Sequence, residues 1–131
     1  MMSSLFTKII NREIPAYIVA EDDNHLAFLD INPLTIGHTL VIPKKEVDYI
    51  YDLSDDMLSD LHLFSKKVAS AIKKSVECNR IGITVIGLEV PHAHIHLIPI
   101  NSIDDMNFSR PKLSPSKEVM DNISKKINYN L

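Results

Sequence analysis

Apolar positions recur with two different periods along this chain, and each period predicts one kind of element. Short runs rich in β-branched and aromatic residues predict strands. Five such runs occur, at residues 17–21, 25–29, 38–43, 80–86 and 91–99. The first two are separated by acidic and amide residues that favour turns, so we expect them to form a hairpin.

The helical period appears in three segments. The longest predicts an amphipathic helix of about six turns between Ser54, its N-cap, and Val76. A short first helix is expected after Ser4, and a last helix from Ser114, with Pro115 at its first helical position. Together these elements predict an α+β fold, a five-stranded antiparallel sheet with one long helix and short terminal helices.

Length and composition add limits to this prediction. A chain of 131 residues predicts one domain, residues 1–131, that buries a core without a disulfide or structural metal. The single cysteine, Cys78, is expected to be a packing residue. The formal net charge of −3 argues against a nucleic-acid partner. We see neither a signal peptide nor a membrane span, so we expect a cytoplasmic protein with no membrane partner.

The fifth predicted strand contains three alternating histidines, His92, His94 and His96. Successive side chains of a strand point to opposite faces, so the three imidazoles are expected on one face and apolar residues on the other. The apolar face would bury against the core. Three imidazoles in a row add no strand propensity, and we infer that their face carries chemistry.

Three interpretations of this face follow from the residues alone. In the first, the histidines are solvent-facing residues of an ordinary amphipathic strand. In the second, they bind a metal ion with His38, although the outer two lie ~13 Å apart in a strand, too far to reach one ion together. In the third, an imidazole is a covalent nucleophile toward phosphorus, since neutral histidine predominates at pH 7.

Other segments narrow these interpretations. Residues 92–98 follow the pattern His-φ-His-φ-His-φ-φ, where φ is apolar, and residues 5–16, 26–33 and 37–44 carry further matching positions. In this combination the chain resembles the Hint-like branch of the histidine triad nucleotide-binding family, up to about residue 99. The resemblance implies a HIT-like fold, a homodimer, a purine nucleotide substrate and no cofactor.

The resemblance also implies residue roles. His94 resembles the nucleophile that attacks an α-phosphorus and forms a nucleotidyl-histidine, which water then releases as a nucleoside monophosphate. His96 resembles the group that assists the leaving group, and His92 and His38 resemble supporting imidazoles. Asp30 matches the carboxylate that accepts both ribose hydroxyls. Further positions match an apolar base pocket, with core packing as the alternative: Leu5, Phe6, Ile9, Ile18, Leu29 and Leu40.

The segment before the triad departs from the family pattern. The family has Gly-Gln-x-Val-x there, whereas this chain has Leu88 and Glu89, and Thr84 stands where Asn is common. Leu88 has no donor for a phosphate. Glu89 either faces solvent or points inward, where it repels phosphate and favours an amine-bearing leaving group. Thr84 and Glu89 remain candidate nucleotide-binding residues, and His25 and His62 are expected on the surface.

The sequence thus predicts a nucleotide hydrolase or transferase of the phosphoramidase type. It would cleave at the α-phosphate of purine nucleotide conjugates, either adenosine 5′-phosphoramidates or dinucleoside polyphosphates. Two alternatives stay open, a nucleotide-binding regulatory module with little turnover and a histidine-ligated, metal-dependent hydrolase. We expect no zinc, because the cysteine-rich motif of the zinc-binding relatives is absent.

Overall fold

A computed structural model describes residues 3–131. Five antiparallel strands form one sheet in the order β1-β2-β3-β5-β4. The strands are β1 (Ile18–Glu21), β2 (His25–Leu29), β3 (Thr39–Pro43), β4 (Arg80–Thr84) and β5 (Ile95–Ile100). The helices are α1 (Leu5–Ile10), α2 (Asp55–Ser75) and α3 (Lys117–Tyr129), with 3₁₀ turns at Ile50–Asp52 and Ile103–Met106. The predicted fold class is confirmed.

The sheet has a different apolar cluster on each face. The larger cluster, which we call the α2 face, joins the sheet to α2 and α3 and contains Leu61, Val68 and Ile72. The smaller cluster, the α1 face, joins the sheet to α1 and contains Phe6 and Ile9. Since β2 and β3 are covered on both faces, every one of their residues is buried.

The predicted caps of the first two helices are confirmed. The Ser54 hydroxyl accepts the Met57 N–H at 3.2 Å, and the Ser4 hydroxyl accepts the Thr7 N–H at 3.0 Å. Each cap satisfies a donor that has no partner within its helix. Within residues 3–131, no helix is long and apolar enough to cross a bilayer.

Two predictions are wrong, one about the start of the last helix and one about the exposure of a histidine. The last helix begins at Lys117 rather than at Pro115, because the Ser116 hydroxyl caps it by accepting the Val119 N–H at 3.2 Å. His25 is 6% exposed and not on the surface. It stacks on Phe64 with ring centroids 4.9 Å apart, which removes it from solvent. His62 is exposed, as predicted.

The predicted strand boundaries around the triad also need correction. β4 ends at Thr84, and β5 starts only at Ile95, so His92 and His94 precede the strand that contains His96. The chain turns between β4 and β5, where Gly87 has a φ of 78°. A further turn follows, in which the His92 N–H donates to the Val90 carbonyl at 2.8 Å. Strict alternation on one strand face therefore does not describe the three histidines.

Candidate active site

Four imidazoles meet where β3 and β5 run side by side. His96 lies in β5 and pairs with Leu40 of β3, while His38 directly precedes β3. All four histidines, including His92 and His94, are at most 7% exposed. This burial rules out the solvent-facing interpretation of the triad.

Hydrogen bonds assign the proton positions on His94. Its Nδ1 lies 2.7 Å from the backbone carbonyl oxygen of His92. A carbonyl can only accept, so Nδ1 carries the hydrogen and Nε2 of the neutral ring has a lone pair. Every fully buried side-chain nitrogen or oxygen of residues 3–131 has a hydrogen-bond partner. Nε2 of His94 has none among these residues, so this atom is accessible from outside the ring cluster. His94 therefore presents a nucleophilic atom.

The opposite tautomer follows for His96. The Leu34 N–H donates to Nδ1 of His38 at 3.1 Å, so the hydrogen of His38 is on Nε2. That Nε2–H donates to Nδ1 of His96 at 2.9 Å. The remaining nitrogen of His96, Nε2, must then carry a hydrogen. His96 thus presents a proton donor beside the lone pair of His94, whose ring centroid is 5.0 Å away.

Burial keeps the rings of His38, His92 and His96 neutral. It lowers the pKa of His96 to about 4 and that of His38 to about 3, and neighbouring imidazoles add to both shifts. Burial also lowers the pKa of His92, although a hydrogen bond to the Pro43 carbonyl opposes the shift. The neutral tautomers assigned above to His38 and His96 are therefore the forms present near pH 7.

A cavity of about 280 Å³ opens beside the triad, between α1 and the sheet. Nine of the predicted site residues line it, namely Leu5, Phe6, Ile9, Leu29, Asp30, Leu40, Glu89, His94 and His96. The prediction missed seven lining residues, namely Ile14, Pro15, Ala16, Phe28, Ile31, Asn32 and Val90. All of these except Val90 lie within the segments that carried the family resemblance, so a pocket prediction extended to whole segments would have included them.

Four predicted residues lie outside the cavity wall. Ile18 packs in the α1 face and pairs with Phe28, so it supports the wall from behind. Thr84 is half-buried on β4 opposite His96. His38 and His92 lie behind the imidazoles that they contact. These positions separate the groups that face the cavity from the groups that hold them.

Asp30 forms the polar end of the cavity. Its Oδ1 accepts the Asn32 N–H at 2.9 Å, and its Oδ2 lies 3.8 Å from Nε2 of His38, beyond hydrogen-bond distance. Burial raises the pKa of Asp30, and the charge of Glu89 raises it further, while Lys112 opposes the shift. Because Oδ2 makes no hydrogen bond to residues 3–131, the carboxyl group keeps acceptor capacity for a ligand.

Two of the three departures from the family pattern, Leu88 and Glu89, line different cavities that both border His94. Glu89 is exposed but lines the 280 Å³ cavity, so it faces both solvent and site. Leu88 is 88% exposed and lines a second cavity of about 390 Å³, which His94 also borders. Tyr49 and Tyr51 form part of that second cavity.

Residues 101–113 also contribute to the site, which the sequence did not predict. The Phe108 ring lies 5.0 Å from His96 and 6.2 Å from His38, measured between centroids. Within the segment, Arg110 pairs with Asp105 at 3.0 Å. The Leu113 N–H donates to the Pro33 carbonyl and so joins the segment to the loop before β3. The segment has no apolar periodicity, so no sequence signal placed it here.

One group of side chains has the composition of a metal site. Ligand atoms of Asp30, His38 and His96 lie within 4.8 Å of one another. However, Nδ1 of His38 accepts the Leu34 N–H, so the nitrogen that faces the group carries the hydrogen. A metal needs a lone pair at that atom. The donor set in this arrangement does not fit a metal ion.

Comparison with known proteins places the chain in a family. The HIT domain matches residues 11–103, which include all four imidazoles of the site. The chain belongs to the histidine triad family. Among its relatives, an uncharacterized HIT-like protein of Borreliella burgdorferi is 40% identical over 139 aligned positions that cover 100% of both chains. The adenosine 5′-monophosphoramidase hnt1 of Schizosaccharomyces pombe is 38% identical over 75% of this chain and 74% of its own.

Solved structures of the family support the fold. The crystal structure of a Hit-like protein from Bartonella henselae, described as involved in cell-cycle regulation, superposes with a TM-score of 0.84. It is 32% identical, and the match covers 98% of this chain and 97% of that one. The histidine triad of this protein therefore lies in the architecture of its family, and the predicted resemblance is confirmed.

Proposed function

We propose that this histidine triad protein is a phosphoramidase-type nucleotide hydrolase or transferase. The observation that carries the proposal is the pairing of two tautomers, a lone pair on His94 Nε2 beside a hydrogen on His96 Nε2. A nucleophile and a hydrogen-bond donor to the leaving group are two groups that favour displacement at phosphorus. The adenosine 5′-monophosphoramidase activity of the S. pombe relative points to the same reaction.

The proposed reaction has two steps. In the first, Nε2 of His94 bonds to the α-phosphorus and the bond from phosphorus to the leaving group breaks. The neutral His96 ring donates a hydrogen bond from Nε2 to the leaving atom, which takes its proton from water. In the second, the hydroxide that remains bonds to phosphorus, and the bond to His94 breaks. The product is a nucleoside monophosphate. In a transferase reaction, another acceptor takes the place of water in the second step.

The cavity suggests which substrates fit. Its apolar walls, which include Phe6, Ile9 and Leu40, suit a flat purine, and Asp30 offers its carboxylate to the ribose hydroxyls. Apolar walls read a base mainly by shape, so the proposal extends to purines as a class. The substrates proposed are adenosine 5′-phosphoramidates and dinucleoside polyphosphates.

Mass spectrometry tests the covalent step. Purified protein is mixed with an adenosine phosphoramidate, with and without a chelator, and quenched with mild base. We expect a mass gain of roughly 329 Da, one adenylyl group, on His94 in both samples. Binding without adduct or product would favour the nucleotide-binding regulatory module, and chelator-sensitive turnover would favour the metal-dependent hydrolase.

We also propose a cytoplasmic homodimer that pairs α2 and β4. β4 is an edge strand, and exposed apolar residues continue from it, with Ile83, Val85 and Ile86 at least 38% exposed. Exposed edges with apolar side chains are typical of strand-to-strand association. Sedimentation analysis of the protein and of Ile83→Lys is the test. We expect a dimer for the first and a monomer for the second, and a monomeric parent protein would contradict the proposal.

A further inference from the structure

The Ser4 side chain links the N-terminus of α1 to His92, a residue 88 positions away in sequence. Its Oγ lies 2.8 Å from Nδ1 of His92. On the other side of the ring, Nε2 lies 2.8 Å from the Pro43 carbonyl, which can only accept. Nε2 of the neutral ring therefore carries the hydrogen, Nδ1 accepts, and the Ser4 hydroxyl is the donor.

Glu46 holds Ser4 in the position that this bond requires. One carboxylate oxygen, Oε1, accepts the Ser4 N–H at 2.6 Å and the Thr7 hydroxyl at 2.7 Å. The Thr7 N–H in turn donates to the Ser4 hydroxyl at 3.0 Å. These bonds lower the pKa of Glu46, so the carboxylate is ionised at neutral pH. Two acceptors lie within reach of the Ser4 hydroxyl hydrogen, His92 Nδ1 at 2.8 Å and Thr7 Oγ1 at 3.2 Å, and the shorter bond is the one to His92.

The backbone of His92 passes this constraint to His94. With both nitrogens bonded, the His92 ring is fixed, and its backbone carbonyl is the acceptor for Nδ1–H of His94 at 2.7 Å. The next backbone N–H, of Ala93, donates to the Val47 carbonyl at 2.6 Å. The bonds to the carbonyls of Pro43 and Val47 connect the segment before β5 to residues 43–47, which include Glu46.

We propose that Ser4 is a positioning residue for His94, and that Glu46 acts through Ser4. Ser4 fixes the His92 carbonyl, and that carbonyl holds the Nδ1–H tautomer that frees Nε2 of His94. The same link joins the triad to α1, whose Phe6 lies 5.0 Å from the His94 ring between centroids. The inference rests on the proposed function for its catalytic meaning, but the tautomer itself is measurable without any substrate.

Nitrogen NMR of the histidine rings in the substrate-free protein is the first test. We expect the protein to show the Nε2–H form of His92 and the Nδ1–H form of His94. In Ser4→Ala, His94 becomes a mixture of tautomers, and Ser4→Thr, which keeps the hydroxyl, restores the single form. Ser116→Ala is the matched control, since it removes an equivalent helix cap that touches no histidine.

Kinetics with an adenosine phosphoramidate is the second test. Ser4→Ala should lower kcat about tenfold with KM changed less than about twofold, as for loss of one buried hydrogen bond that aims a catalytic group. Glu46→Gln keeps the shape of the side chain and should lower kcat about threefold. If Ser4→Ala does not fold, Glu46→Gln takes its place in both tests.

Two outcomes would overturn the inference. One is a single Nδ1–H tautomer of His94 in Ser4→Ala, whatever happens to kcat, since an activity loss alone would then reflect stability. The other is an equal tautomer change in the Ser116→Ala control. A parent protein without phosphoramidase activity would remove the proposed function, but the tautomer measurement would still decide the role of Ser4.

Discussion

Both faces of the sheet carry buried side chains, but the contents of the two faces differ. The α2 face is packed mainly with aliphatic side chains from the sheet and two helices. The α1 face contains a smaller apolar cluster, a cavity and four buried imidazoles, each with hydrogen-bond partners. Burial stabilises the first face, whereas on the second it sets proton positions and lowers pKa values. Variants on the two faces should therefore separate stability from activity.

The largest effect is expected from His94→Ala on the α1 face. Without the nucleophile, turnover of an adenosine phosphoramidate should fall roughly 10⁴-fold or more, because no other group forms the covalent intermediate. The variant should still bind AMP, since the apolar walls and Asp30 are intact. Steady-state assays and calorimetry make the two measurements. Turnover within tenfold of the parent protein would refute the covalent mechanism.

On the α2 face, Leu61→Ala should lower the stability of the protein and leave its activity nearly unchanged. Leu61 is fully buried, and removing its side chain should cost about 2–5 kcal/mol of unfolding free energy. Activity below the unfolding transition should be little changed. Leu63→Ala is the matched control on the same helix, because Leu63 is 60% exposed and should lose no more than about 0.5 kcal/mol. Urea unfolding of both variants is the measurement.

Lowering the pH should reduce the free energy of unfolding through the buried histidines of the α1 face. The pKa of His96 is about 4 and that of His38 about 3 in the fold, against a usual value of 6.5. Below about pH 6.5 the unfolded chain binds protons that the fold excludes, so stability is lost as pH falls from there toward 4. The slope should be about 1.4 kcal/mol per pH unit for each such histidine.

A pH series of urea midpoints for the parent protein and for His96→Asn is the measurement. The variant should show a shallower slope between pH 6.5 and 4, since one buried imidazole is removed. Identical slopes would show that His96 is protonated in the fold over this range.

Asp30→Asn should act on binding more than on chemistry. It removes the charged acceptor at the polar end of the cavity, so AMP affinity should fall about tenfold to hundredfold. The 2′,3′-dideoxy analogue is the control ligand and should bind both proteins alike. Because burial raises the pKa of Asp30, AMP binding to the parent protein should start to weaken at a higher pH than for an ordinary aspartate. Calorimetry with both ligands would expose a different role for Asp30.

The smallest effect is expected from Glu89→Gln at the exposed cavity rim. Removing one solvated charge should change the preference between a phosphoramidate and a dinucleoside polyphosphate about two- to threefold, toward the more anionic substrate. The ratio of kcat/KM for the two substrates is the measurement. An unchanged ratio would mean that Glu89 has no part in choosing the leaving group.

Sequence periodicity predicted the sheet and the helices well, for a physical reason. Val41, Leu61 and Ile72 bury on regular spacings, and Ser4 and Ser54 cap where their hydroxyls meet free N–H groups. Propensity and burial agree at such positions. They disagree between β4 and β5, where alternation alone predicted a strand through His92 and His94, but turns and side-chain hydrogen bonds set the backbone.

The parts of the site that sequence did not predict depend on long-range contacts. Phe108 lies against His96, and Ser4 bonds to His92, yet neither contact follows from a local period. The prediction that His25 lies on the surface fails because the ring stacks on Phe64, which belongs to an element distant in the chain. Residue chemistry predicts what a side chain does when buried, but tertiary packing decides which side chains meet.

The boundary of the family match has a consequence for any shortened form of this protein. The HIT domain match covers residues 11–103, whereas Ser4 and Phe6 precede it and Phe108 follows it. The matched segment contains the four buried imidazoles, and the residues on either side of it supply part of their immediate surroundings. A fragment cut to the matched residues would keep all four histidines but expose their rings on two sides.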